Sequence, residues 1–184
     1  MSVLHAPAAC PRPASPAVGA LRRVGQFARA LRLRPDARID GRLRHLLADE
    51  RQWLLLARLS AFDRAHHLRV HHTLVAWGQT DPELLRAALL HDAGKADDCG
   101  RASVPHRVAL VLLRASVPGL LSRLAAQPGR GPWRGMYLAV HHAALGAQHA
   151  SLAGASVRCC ELIAGHAGPA GEDTALAALI AADA

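Results

Sequence analysis

The chain has 184 residues, of which 51% are hydrophobic, and this length accommodates one domain around one core; no apolar run reaches the roughly 18–20 residues that a membrane-spanning helix needs. Its 22 Lys+Arg exceed its 14 Asp+Glu, but the excess is confined to the start: residues 1–45 hold nine arginines against Asp36 and Asp40, whereas 46–184 hold thirteen basic and twelve acidic side chains. A nucleic-acid-binding fold spreads cations over one face and adds stacking aromatics; here aromatics are 3% and Lys95 is the only lysine, so no specific nucleic-acid partner is expected.

Residues 1–19 carry four prolines and read as a disordered lead-in without the apolar stretch of a secretory signal. Residues 20–44 form a basic N-terminal helical segment. Within it Leu21, Val24, Phe27, Ala28 and Leu31 recur at helical spacing among Arg22, Arg23, Arg29 and Arg32, which predicts an amphipathic helix ended by Pro35. Over residues 20–34 such a helix could bind an acidic membrane surface weakly. Residues 45–184 make up the main domain.

The pattern predicts helices over 42–58 and from Ser60 to Trp77, with Gly78 as the stop. Asp81, Pro82 and Glu83 then supply a cap, a proline at the first helical position and an acid in the first turn, opening a helix that runs to Gly94. Two helices follow over 106–115 and 118–126. GRGPWRG, residues 129–135, reads as a loop, succeeded by a helix through MYLAVHHAAL and three more over 147–153, 156–165 and 172–182. No segment alternates with period 2 and there is no internal repeat. The fold class is therefore all-α, an irregular bundle of about eight helices. Cys10, Cys99, Cys159 and Cys160 form neither a CxxC pair nor a disulfide framework, and a reduced, cytoplasmic protein is expected.

Twelve histidines are many for this length. His66 lies in DRAHHLRVHH, His91 and Asp92 in AALLHDAGK, His141 and His142 in YLAVHHAALGA, His166 in ELIAGH and Asp183 in LIAAD. Neutral imidazoles and carboxylates are ligands for divalent metals. Adjacent helical residues point about 100° apart. A His-Asp pair can therefore grip one ion only near a helix end, from where the aspartate reaches a second.

These motifs resemble the HD-domain metal-dependent phosphohydrolases over roughly residues 45–184. The densest part is HHLRVHHTLVAWGQTDPELLRAALLHDAGK, similar to the family's H-x-L-R-V … AALLHD-x-GK core. HHAALGAQHASLAGAS, ELIAGH and LAALIAAD are similar to a branch with downstream histidines, of which small bacterial proteins that cleave dinucleoside tetraphosphates are one example. The resemblance implies two divalent ions, with Fe, Mn, Co, Zn or Mg all compatible. His66, His91, Asp92 and Asp183 would bind one, and Asp92 would bridge to a second held also by His142 and His166. His66 is preferred to His67 because it begins His-x-Leu-Arg-Val, and His142 to His141 because it directly precedes AALGA. His71 and His72 match no fixed ligand, and His5, His45, His106 and His149 match nothing.

Two ions close together lower the pKa of water toward neutrality and neutralise phosphate oxygens, so no Ser or Cys nucleophile is needed. The catalytic candidates are Asp92 and Lys95. Lys95, Arg69 and Arg107 are candidate phosphate contacts, and Asp63, one turn before His66, is placed to orient an imidazole. The implied activity is hydrolysis of a phosphate ester or anhydride in a small metabolite or nucleotide. The alternatives are a di-iron oxygenase, since some HD-fold proteins hold two irons in the same six-ligand site, or a non-catalytic helical regulatory module, which the filled ligand set disfavours.

Overall fold

A computed structural model describes residues 36–126, 128–129 and 132–184. The lead-in over 1–19 and the amphipathic helix expected over 20–34 lie outside the described residues. The protein is all-α, with nine helices and one two-residue hairpin among the described residues.

The chain enters at Asp36, whose carboxylate accepts from the Arg38 amide at 2.8 Å and caps helix α1, Ala37–Leu47. Leu43 and Leu47 are buried, so α1 packs as part of the core and spans the division expected at residues 44 and 45. The single helix expected over 42–58 is two helices. Ala48 adopts a left-handed conformation (φ 51°), and Asp49 caps helix α2, Glu50–Ala57, by accepting from the amides of Arg51 at 2.8 Å and Gln52 at 3.4 Å. The apolar periodicity continues across this break, and only the Ala-Asp-Glu cap reveals it. Arg44 bridges the corner to Glu50.

Ser60 caps helix α3, Ala61–Ala76, and Gly78 turns the chain away with φ 79°. Arg64 ties α3 to α1, donating to both carboxylate oxygens of Asp40 and to the Leu59 carbonyl. Asp81 caps helix α4, Pro82–Leu90, in which Leu84, Ala87, Ala88, Leu89 and Leu90 are all buried. This central helix stops at Leu90 rather than at Gly94; His91 and Asp92 form a turn, followed by one 3₁₀ turn over Ala93–Lys95. The hairpin follows, β1 (Ala96–Asp97) against β2 (Gly100–Arg101), antiparallel with Ala96 opposite Arg101 and Asp97 opposite Gly100. It is too short to leave an alternation signal, and Arg134 holds its first strand through Asp97.

Helices α5 (Val104–Ser116) and α6 (Pro118–Leu124) lie at the periphery, and α5 buries none of its residues fully. Helix α7 runs unbroken from Pro132 to Leu152. It absorbs part of the expected 129–135 loop and the separate helix expected over 147–153. Proline is tolerated at the first helical position, and Gly135 accommodates the His106 ring, which would stand 2.4 Å from a Cβ there. Ser156 and Asp173 cap the last helices, α8 (Val157–Gly165) and α9 (Thr174–Asp183). The main core joins Leu43, Leu56, Leu74, Leu84, Leu90, Leu162, Ile163 and Leu179, with a smaller cluster of Ala102, Leu138 and Ala139.

Candidate metal centre

Six side chains from five segments converge beside α4. His66 comes from α3, His91 and Asp92 from the turn after α4, His142 from the middle of α7, His166 from the residue after α8, and Asp183 from the last residue of α9. His91, Asp92 and His166 are buried. Close packing of main chains brings the turn against α7: a Cβ on Gly94 would stand 2.1 Å from the His142 carbonyl oxygen and 2.5 Å from the Gly146 nitrogen. Glycine is needed here for space, since Gly94 is not among the glycines with positive φ.

The three deeper imidazoles share one orientation. Nδ1 of His91 donates to the Ala88 carbonyl at 3.0 Å, that of His142 to Ala139 at 2.9 Å and that of His166 to Ile163 at 2.6 Å. For His91 and His166 the acceptor is a carbonyl of the last helical turn, which has no full set of helical partners. These bonds fix the tautomer and turn each Nε2 toward the carboxylates.

Asp92 divides its two oxygens. Oδ1 lies 3.4 Å from Nε2 of His142 and 3.6 Å from Nε2 of His166. Oδ2 lies 3.4 Å from Nε2 of His91 and accepts from Lys95. Asp183 Oδ1 lies 3.3 Å from His91 Nε2 and 2.7 Å from His66 Nε2. Two groups that could hold a metal ion result, His66 with His91 and Asp92, and Asp92 with His142 and His166. Donors bound at about 2.1 Å to one tetrahedral ion stand ~3.4 Å apart, and the spacings of 3.3–3.6 Å around Asp92 and His91 fit this. The set is imidazole and carboxylate with no thiolate, which suits Zn, Fe, Mn and Co.

Electrostatics follows from burial and pairing. Burial alone would raise the Asp92 carboxyl and lower the His91 imidazole. Instead Lys95 and His91 hold Asp92 well below the usual carboxylate range, and Asp92 and Asp183 pull His91 up to about 10. Asp183 is held below its ordinary value against its own burial by His66 and His91. Burial pushes His142 down to about 4, so its neutral ring keeps a lone pair available near neutral pH.

The other residues singled out in the sequence have definite positions. Lys95 donates to Asp92. Arg69, exposed on α3, donates from Nη2 to Nδ1 of His66 at 2.8 Å. Arg107 reaches back from α5 to Asp63 at 2.5 Å. Asp63 therefore does not orient an imidazole. Its carboxylate accepts from Arg107 and from the Ser60 hydroxyl at 2.6 Å, and its main role is to tie α5 to α3. His141 points away from the cluster and donates from Nε2 to the Ala125 carbonyl at 3.0 Å.

His67 was passed over in favour of its neighbour and has its own place. It is fully buried, its ring lies 4.7 Å from that of His91 with 31° between planes, and Nδ1 donates to the Leu89 carbonyl at 2.5 Å. Its Nε2 has no hydrogen-bond partner among the described residues, and burial pushes it down to about 3. The signal was available, because His67 shares the buried face of α3 with Val70, His71 and Leu74 at helical spacing. No helix among the described residues is long and apolar enough to cross a membrane. Comparisons with family models, with curated proteins and with solved structures returned no match.

Proposed function

We propose that this protein is a divalent-metal-dependent phosphohydrolase that cleaves a phosphate ester or anhydride of a small metabolite or nucleotide. The division of Asp92 carries the reading, one oxygen facing His142 and His166 and the other facing His91. A carboxylate so placed serves two ions at once. His66, His91, Asp92 and Asp183 would hold one, and Asp92, His142 and His166 the other.

Bound there, the ions would supply Lewis acidity, lowering the pKa of water and neutralising phosphate oxygens. The chain supplies the rest. Backbone carbonyls of Ala88, Ala139 and Ile163 hold three imidazoles with their Nε2 atoms inward, so little reorganisation is needed on loading. Lys95 and Arg69 bring cationic donors to the cluster, where negative charge builds on phosphate oxygens during transfer. Burial of Asp92 and His91 keeps the local dielectric low and strengthens each of these interactions.

Metal analysis joined to a substrate panel tests the reading. The purified protein is expected to retain close to two ions per chain, and His91→Ala and Asp92→Ala to lose most of them; unchanged content in both variants overturns the site. Phosphate release from nucleotides and aryl phosphates is expected with Mn, Co or Fe(II) under anaerobic conditions. Turnover that requires dioxygen overturns hydrolysis.

A further inference from the structure

Four imidazoles surround the cluster, and one of them is oriented against the other three. His91, His142 and His166 give their Nδ1 hydrogens to main-chain carbonyls. His66 instead has Arg69 Nη2 at 2.8 Å from its Nδ1. A guanidinium has no acceptor, so Nδ1 is the acceptor and the hydrogen of the neutral ring is on Nε2. That hydrogen points to Asp183 Oδ1, 2.7 Å away. Held this way, His66 has no Nε2 lone pair to offer.

We infer that Arg69 is exchanged between two partners, His66 in the unloaded protein and a phosphate group of the ligand in the loaded one. The inference rests on the metal centre proposed above. His66 can serve a cation through Nε2 only by moving its ring hydrogen from Nε2 to Nδ1. The hydrogen changes nitrogen, the ring stays neutral, and no net proton is taken up or released. Arg69 then faces an N–H where it had a lone pair, and two donors cannot share that contact. Its position on the exposed side of α3, one turn from His66, lets the guanidinium turn outward while staying at the edge of the cluster. The planar fork of donors that it brings matches a phosphate better than a single oxygen.

Lys95 behaves differently. It donates to a carboxylate oxygen of Asp92, which has more than one lone pair and can keep that bond while serving an ion. Arg69 alone is displaced, so it couples cation binding to anion binding. The coupling is reciprocal: phosphate must tighten cation binding by the factor by which the cation tightens phosphate binding.

Two measurements on the full chain test this. Long-range 1H–15N spectra of the histidine rings, before and after loading with Zn2+, should show the hydrogen of His66 on Nε2 first and on Nδ1 afterwards, with His91, His142 and His166 keeping theirs on Nδ1. Calorimetric titration should show R69Q binding Zn2+ at least as tightly as wild type, because a competitor for His66 is gone. The same variant, loaded with Zn2+, should bind inorganic phosphate about tenfold more weakly, the loss of one charge-assisted contact. An Nδ1 hydrogen on His66 before loading, or unchanged phosphate affinity in loaded R69Q, overturns the exchange while leaving the metal centre standing. A wild-type protein that takes up no Zn2+ overturns the metal centre and the exchange together.

Discussion

Replacing Gly94 by alanine adds one methyl group at the tightest main-chain approach in the site. The new Cβ would stand 2.1 Å from the His142 carbonyl oxygen and 2.5 Å from the Gly146 nitrogen, where ordinary contact begins at 3.4 Å. Both neighbours are backbone of α7 and cannot rotate aside, so the turn and the helix must separate by about 1 Å. Overpacking of this kind costs about 1–3 kcal/mol or more, and at this chain length each kcal/mol lowers the melting temperature by roughly 2–4 °C. The same displacement draws His142 away from Asp92, 3.4 Å apart at present, and a site tolerates only about 0.5 Å of such error. G94A should therefore melt about 5–10 °C lower and, after dialysis, retain less metal in the half of the site that contains His142. Gly41, exposed within α1 with nothing within 4 Å of its would-be Cβ, is the control: G41A should gain about 0.5–1 kcal/mol. Circular-dichroism melts and metal analysis of the two variants decide the matter. A G94A protein that melts within a degree of wild type and keeps its full metal content refutes the packing argument.

Two more expectations concern charge. Folded, metal-free protein holds the His91 proton up to about pH 10, whereas the unfolded chain releases it near 6.5, so this contribution to stability is complete below pH 6.5 and is lost as pH rises through 10. His67 and His142, pushed down to about 3 and 4, act oppositely and cost stability as pH falls below 6.5. Melting temperature in chelator should thus peak near pH 6.5, and H91A should remove the alkaline fall; a wild-type curve that is flat from pH 6.5 to 10 contradicts the assignment. The Asp63–Arg107 pair is largely buried and Arg44–Glu50 is exposed, so urea unfolding of D63N should show a loss of about 3 kcal/mol and E50Q under about 1 kcal/mol. Equal losses would show that burial does not set the strength of these pairs.

The all-α class was legible because apolar periodicity and caps agree over most of the chain. The departures have local causes. Asp49 ends one helix and starts the next inside a continuous apolar pattern, so periodicity joined what the cap divides. Residues 91–94 leave the helix because Gly94 must seat against α7, a tertiary demand that helical periodicity does not record. Gly135 looked like turn chemistry but is a helical position cleared for the ring of His106. The six residues singled out as ligands lie together, and spacing distinguished His66 from His67 without revealing why the second is present. That reason is packing on His91, which only the folded geometry displays. Asp63 was misread because its partner, Arg107, is 44 residues away.

The places from which the ligands are delivered have a consequence of their own. His91 directly follows α4, His166 directly follows α8, and Asp183 closes α9. Each helix concentrates roughly half a negative charge at its C-terminal end through its aligned peptide dipoles. Three such ends are focused on one small volume that already holds two carboxylates. The backbone itself makes this volume attractive to cations and repellent to anions, whatever side chains line its rim. A phosphate can approach only after positive charge has been installed, so the main-chain architecture imposes an order of arrival that no single substitution among the ligands would reverse.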